Sequence, residues 1–282
     1  MSENKVWFIT GTSTGIGREL AETALENGYK VVATARKPEV LQDLAEKYPS
    51  TVLTVKLDVT DKKDVADAIE KAVEKFGRID VVVNNAGYGL LGAIEEPSEE
   101  QIRGQFETNL FGVINVVRGS LPVLRRQKSG HIINVSSGLG FFAFPSYGYY
   151  SATKFAVQGL SEALAQEVAP FGIKVTIAEP GGMRTAFLST GLVQPENALP
   201  EDYPSTIKLA EIFNERQGKE FSDPRRIAEV LIETVESENP PLHLPLGEDS
   251  YNGIQNQLDK ISKEIAERRE QSLDTGYKTA AA

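Results

Sequence analysis

The chain is predicted to adopt an α/β fold, a doubly wound (Rossmann-type) parallel sheet with helices on both faces. Three observations carry that prediction. Short apolar runs alternate with segments of helical spacing from the first residues onward. Those runs are continuous, as expected of strands buried on both faces. The first of them, Val6-Trp7-Phe8-Ile9, breaks into Thr10-Gly11-Thr12-Ser13-Thr14-Gly15-Ile16-Gly17 just ahead of a helical pattern. A strand, a glycine turn and a helix N-terminus in that order form a cradle for a pyrophosphate.

After the first strand, apolar runs fall at residues 30–35, 52–57, 79–84, 131–136 and 174–179. Between them, helical spacing predicts helices over 16–27, 40–47, 62–76, 99–127 and 150–169. Asp61 stands where the third of these needs an N-cap. Beyond Pro180 the pattern loosens: 181–204 is rich in Gly and Pro, and helical spacing returns at 206–217 and 225–236. Pro241-Leu242-His243-Leu244-Pro245 reads as a last strand, placed at an edge because its prolines suit an edge and not a centre. From 250 to 270, Ile254, Leu258, Ile261 and Ile265 form a narrow stripe, predicting a helix packed on the same chain or on a twin subunit. With no repeat or low-complexity block, residues 1–282 read as one domain. Its core spans about 5–185, a substrate lid about 183–217, and a C-terminal helical extension about 250–271.

Composition narrows the function classes. Over 282 residues, 40% hydrophobic and 25% charged content permits a sizeable core, and a net charge of −10 disfavours nucleic acid or an anionic membrane as partner. The absence of cysteine excludes a disulfide framework, a thiolate nucleophile and a cysteine–zinc site, and two histidines argue against a multi-histidine centre, so no metal is expected. Met1-Ser2-Glu3-Asn4-Lys5 has no signal pattern, and no apolar run approaches the ~18 residues of a membrane span. A soluble cytoplasmic protein is the expectation.

The glycine turn, spaced T-G-x-x-x-G-x-G, assigns Gly11, Ser13, Thr14, Gly15, Ile16 and Gly17 to the pyrophosphate of a dinucleotide. In such folds the second strand ends near an acidic residue, about 20 residues on, that bonds the ribose 2′-OH. Here the strand ends in Ala35, then Arg36 and Lys37. A carboxylate would repel a 2′-phosphate, whereas a guanidinium holds one by paired charge-assisted bonds. NADP(H) is therefore expected over NAD(H), with Arg36 as its selector; the alternative is a solvated loop cation.

Further along come Asn84-Asn85-Ala86-Gly87, Asn109, Ser136-Ser137, Tyr150-Ser151-Ala152-Thr153-Lys154 and Pro180-Gly181-Gly182-Met183-Arg184-Thr185. In this set and order, from about residue 5 to 185, the chain resembles the short-chain dehydrogenase/reductase family. Among nine tyrosines only Tyr150 has a lysine four residues later. Tyr150 and Lys154 lie one helical turn apart on one face, so an ammonium can sit beside a phenol. The phenol's ordinary pKa of ~10 should fall beside a positive charge, fitting Tyr150 to give a proton to a carbonyl oxygen or take one from an alcohol. Ser137 follows a strand's C-terminal end, where it can hold the same oxygen. Its choice over Ser136 rests on the family's thirteen-residue spacing to Tyr150.

The resemblance implies further roles. Lys154 also binds the nicotinamide ribose, and Asn109 holds a water linking Lys154 to solvent. Asp58, with Val59, lies at the adenine. Asn85, Ala86 and Gly87 line the cofactor groove, and Pro180, Gly181 and Thr185 meet the nicotinamide end, Thr185 at its carboxamide. Taken alone, Asn109 reads better as bonding backbone within its own helix, and Asp58 as a helix cap. The resemblance also implies a homodimer or homotetramer assembled through the helices beginning near Glu99 and Tyr150, which the C-terminal extension puts in question.

Phe141-Phe142-Ala143-Phe144-Pro145, Tyr147, Tyr88 and Leu90-Leu91 are expected to wall an apolar pocket for a small hydrophobic ketone, aldehyde or secondary alcohol, ordinary core packing being the alternative. Three rival readings remain. One is an NAD-dependent alcohol dehydrogenase of the same family; another is a dinucleotide sensor without catalysis. The third is a hydrolase, since Gly11-Thr12-Ser13-Thr14-Gly15 also matches G-x-S-x-G, with His131 or His243 as partner. Ser13 follows the first strand, too early for a nucleophile elbow.

Overall fold

The computed structural model describes residues 5–183, 191–199, 201–204 and 222–277. Its main sheet has seven strands, all paired in parallel. They are β1 (Val6–Ile9), β2 (Lys30–Ala35), β3 (Val52–Lys56), β4 (Val81–Asn84), β6 (Gly130–Val135), β7 (Ile173–Pro180) and β9 (His243–Leu246). Their order is β3-β2-β1-β4-β6-β7-β9. A two-residue pair, β5 (Gly89–Leu90) with β8 (Leu192–Val193), forms a second small sheet. This is the predicted doubly wound fold. Because β1 lies between β2 and β4, the crossovers change direction there, and a crevice opens past the C-terminal ends of β1 and β4.

Alternation along β1 divides the core in two. Trp7 and Ile9 face a cluster with Leu20 and Ala24 of α1 (Gly15–Glu26) and Leu231 and Ile232 of α7 (Pro224–Glu236). Val6 and Phe8 face the other layer, with Val65 and Ile69 of α3 (Lys62–Phe76), Val116 of α5 (Gly112–Gln127) and Val157 of α6 (Gly148–Val168). Every residue of β1 is buried, which is why the strand reads as an unbroken apolar run.

Most elements lie within two residues of expectation, and Asp61 caps α3 by accepting from Lys63 N and Asp64 N. The helix expected over 40–47 opens instead as a 3₁₀ turn, Pro38–Leu41, before α2 (Gln42–Lys47); Pro38 sits where its missing N–H costs nothing. The single helix expected over 99–127 is divided into α4 (Glu99–Phe106), a π-helical turn (Glu107–Phe111) and α5. At the second junction α5 packs so closely that a Cβ on Gly112 would stand 2.5 Å from Val59 Cγ2. The wide turn turns Asn109 inward, a device often found at functional sites.

β9 is the predicted edge strand, with Pro245 opposite Glu179. After it comes α8 (Glu248–Glu267) and a last short turn of helix, Arg269–Leu273. The apolar stripe meets its own chain only at the start. Ile254 is 4% exposed, whereas Leu258, Ile261 and Ile265 are 44%, 40% and 64% exposed, so same-chain packing ends after two turns. The helix expected over 206–217 and most of the lid expected over 183–217 lie outside the described residues. Among the described residues no helix is long and apolar enough to cross a membrane.

Candidate active site

The turn after β1 is held by its own neighbours. Thr10 Oγ1 accepts from Asn85 N at 2.9 Å and Ala86 N at 3.0 Å. Asn85 Nδ2 donates to Thr10 O at 3.0 Å and Gly11 O at 2.9 Å. Gly11 and Gly15 have φ of +70° and +63°, a region that penalises side chains. A Cβ on Gly17 would collide with the Gly11 carbonyl oxygen and the Asn85 amide, so only glycine lets α1 begin this close to β4. Thr14 stands at the N-cap of α1 without a side-chain capping bond, and Ser13 and Thr14 are exposed. The first-turn N–H groups of α1, with the exposed Ser13 and Thr14, thus face an open cradle with no acidic residue in that turn. A pyrophosphate fits it.

Of the other residues expected at the cofactor, Arg36 is the first after β2, exposed and without an ion-pair partner among the described residues. Its charge reaches Tyr88, whose phenol burial pushes up. Asp58 Oδ1 accepts from Thr60 N at 3.0 Å and Thr60 Oγ1 at 2.7 Å, an Asx turn, while the cap of α3 falls to Asp61. Val59 is buried against Gly112. Asn85 differs from expectation: its side chain is spent on the glycine turn and acts on the groove by shaping it. Ala86 lies against Gly11, and Gly87 against Asn109. Thr185 lies outside the described residues.

Tyr150 and Lys154 lie near the start of α6, 7% and 6% exposed. The Ser137 hydroxyl lies beside the Tyr150 phenol and favours its charged form. Ser137 Oγ also accepts from Leu139 N at 3.1 Å and donates to Pro180 O at 3.4 Å. Ser136 points elsewhere, donating to Lys154 O at 3.2 Å, which separates the roles of the adjacent serines. Lys154 Nζ donates to Val135 O at 2.8 Å and lies 5.5 Å from the centre of the Tyr150 ring.

The electrostatics depart from the sequence expectation. The phenol is not lowered: burial pushes Tyr150 up to about 12, against a smaller pull from Ser137, and burial pushes Lys154 down to about 8. Desolvation penalises the charged form of both groups, and the Lys154 ammonium is turned to the Val135 carbonyl and the ring. Tyr150 is therefore a protonated donor at neutral pH.

Asn109 Nδ2 donates to Tyr88 O at 2.8 Å and Thr153 Oγ1 at 3.3 Å, and its Oδ1 accepts from Tyr88 N at 3.1 Å. It bonds backbone, but between elements and not within its own helix, joining the turn after β4 to the first turns of α6.

The wall around Tyr150 is Leu91, Tyr147, Leu139 and Leu192, with the Tyr147 and Tyr150 rings edge-on at 6.0 Å. Leu91 and Tyr147 were expected there. The Phe141–Phe144 run was expected there as well, but it turns to the C-terminal segments. Phe141 meets His243, and Phe142 meets Phe144 and presses on Gly253 of α8. Leu139 and Leu192 were missed; Leu139 sits in a three-residue 3₁₀ turn and Leu192 in the two-residue β8, both too short for a periodic signal.

The hydrolase arrangement does not form. Ser13 lies past the C-terminal end of β1, whereas His131 lies near the N-terminal end of β6 and His243 stands on β9, four strands across the sheet from β1. His131 Nε2 is paired with Thr176 Oγ1 at 2.9 Å and His243 Nδ1 with Glu179 Oε1 at 2.8 Å.

A dinucleotide-shaped cradle beside a buried Ser–Tyr–Lys group on a doubly wound sheet defines an oxidoreductase architecture. Comparison with known proteins agrees. Residues 5–193 match the short chain dehydrogenase family, and the chain belongs to that family. It is 44% identical over 271 residues to oxidoreductase BOA17 of Botryotinia fuckeliana, covering 95% of this chain and 98% of that one. A short-chain dehydrogenase from Streptomyces avermitilis superposes with a TM-score of 0.91 at 38% identity, covering 98% of this chain and 100% of that one. An alcohol dehydrogenase from the archaeon Thermococcus sibiricus, complexed with 5-hydroxy-NADP, gives 0.72 at 28% identity over 87% of this chain and 97% of that one.

Proposed function

We propose that the chain is an NADP(H)-dependent carbonyl reductase, reversible to alcohol oxidation, acting on a small hydrophobic ketone, aldehyde or secondary alcohol. The observation that carries this reading is the buried Tyr150 phenol, beside Ser137 and flanked by Lys154, among Leu91, Tyr147, Leu139 and Leu192. The solved alcohol dehydrogenase with its NADP derivative supports a nicotinamide dinucleotide as cofactor.

When bound, that dinucleotide supplies or accepts the hydride. The 11–17 turn holds its pyrophosphate, Arg36 its 2′-phosphate, and Asp58 and Val59 its adenine end. Ala86, Gly87, Pro180, Gly181 and Thr185 hold the nicotinamide half, with Lys154 at the ribose. Ser137 Oγ and Tyr150 Oη converge on the substrate oxygen, and Tyr150 Oη gives it the proton. The Lys154 ammonium steadies the phenolate left behind once it turns from the Val135 carbonyl. Asn109 keeps α6 in register with the groove. The apolar wall keeps water from the reacting carbon and favours substrates without charge.

The test is a panel of hydrophobic carbonyl compounds with NADPH and NADH, followed by nicotinamide absorbance. NADPH should be consumed with the higher kcat/KM. Tyr150→Phe should lose about 100-fold or more in kcat while NADPH binding stays within about two-fold. Preference for NADH removes the role of Arg36; retention of turnover in Tyr150→Phe removes Tyr150 as the acid.

A further inference from the structure

We propose that Asp249 and Ser250, in the first turn of α8, are positioning residues for this reaction. They hold the end of β7 and the glycine loop after it, and through them Ser137 and the nicotinamide end of the groove. The inference rests on the reading of Ser137, Tyr150 and the Pro180–Gly181 segment given above.

Ser250 is buried, and its Oγ donates to Glu179 O at 2.6 Å, on the residue before Pro180. Pro180 O in turn accepts from Ser137 Oγ. The same Ser250 closes on the loop that follows Ser137, where a Cβ on Gly138 would stand 2.9 Å from its Oγ. One side chain therefore touches both segments that set the Ser137 hydroxyl. Asp249 Oδ2 accepts from Gly182 N at 2.7 Å, and its carboxylate lies so close to Gly181 that a Cβ there would collide with it. Gly181 N is already bonded to Leu246 O at 2.9 Å, at the end of β9. The loop is thus fixed at consecutive amides from two parts of the C-terminal segment. One turn further on, Gly253 gives Phe142 its seat, locking the helix against the 138–142 loop.

A charged acceptor on a backbone N–H is a strong bond, and Gly181 and Gly182 have no side chains with which to hold themselves. Without Asp249 the loop keeps the Leu246 bond and loses the other.

The experiment titrates the full-length chain with NADPH and measures kcat and KM for the best carbonyl substrate. Asp249→Ala should weaken NADPH binding about ten-fold, and Asp249→Asn, which keeps an acceptor oxygen, should restore most of it. Glu248→Ala removes the same charge from the same helical turn without touching the loop, and should bind as the wild type does. Ser250→Ala should lower kcat about ten-fold with little change in KM, because it acts through Pro180 and Ser137. NADPH binding by Asp249→Ala equal to wild type overturns the assignment, as does an equal loss in Glu248→Ala. A wild-type chain that binds neither NADPH nor NADH overturns the earlier reading and this one with it. Wild-type binding matched by Asp249→Ala overturns this one alone.

Discussion

The 10–17 turn and the first turn of α8 both serve the same crevice, by opposite means. The first is a local device: three glycines, a threonine and a neighbouring asparagine hold a backbone shape, and each is needed for that shape alone. The second is a remote device: Asp249 and Ser250 brace a strand end whose partner residues lie about seventy positions earlier in the chain. A local device writes itself into sequence as a motif. A remote one leaves only an ordinary helix start, with Asp and Ser where any helix has them.

The comparison breaks most sharply at Gly17. Valine there would drive a side chain into the Gly11 carbonyl and the Asn85 amide, so the turn must open. Loss of measurable dinucleotide binding is expected, with a stability loss of about 3 kcal/mol or more by urea unfolding. Near-normal binding would mean the turn is softer than its contacts suggest.

The C-terminal helix should divide into an anchored and an unanchored half. Ile254→Ala empties a buried site and should cost about 2–4 kcal/mol, whereas Ile265→Ala, three turns on and largely exposed, should stay within about 0.5 kcal/mol. Equal losses would show that the far half is covered in solution, and a concentration-dependent unfolding midpoint would point to a twin subunit as the cover.

Acid tests the seam that carries this segment. His131 is buried between β6 and β7, and its partner Thr176 donates to Pro241 O at 2.8 Å, just ahead of β9. Burial holds the imidazole down to about 4, while in the unfolded chain it titrates near its ordinary 6.5. Between those values the unfolded state binds the extra proton, so stability is full above pH 6.5 and is lost as pH falls toward 4. The contribution is about 3 kcal/mol, and His131→Gln, which does not titrate, should flatten that part of the stability profile. An unchanged slope would remove His131 as its source.

What was legible follows the same division. The sheet, its order of elements and the Tyr150–Lys154 pair were readable because periodicity and a one-turn spacing are local properties. Ser137 was chosen over Ser136 by family spacing; the physical reason, that Ser136 faces the Lys154 carbonyl, needs the packed strand end. The direction of the Tyr150 shift was misread because spacing shows that a lysine is near, not how much water both groups lose. The Phe141–Phe144 run was aromatic and close to Tyr150 in sequence, yet its rings cover His243 and Gly253 of the C-terminal segments. Only tertiary structure decides which apolar surface a loop faces.

The bond from Ser250 to Glu179 also sets an order of events in biosynthesis. The glycine turn and its β4 partner are made early, but α1 still needs Leu231 and Ile232 of α7 to cover its core face. The hydroxyl pair beside that turn gains its last brace only after residue 250 has left the ribosome and folded back.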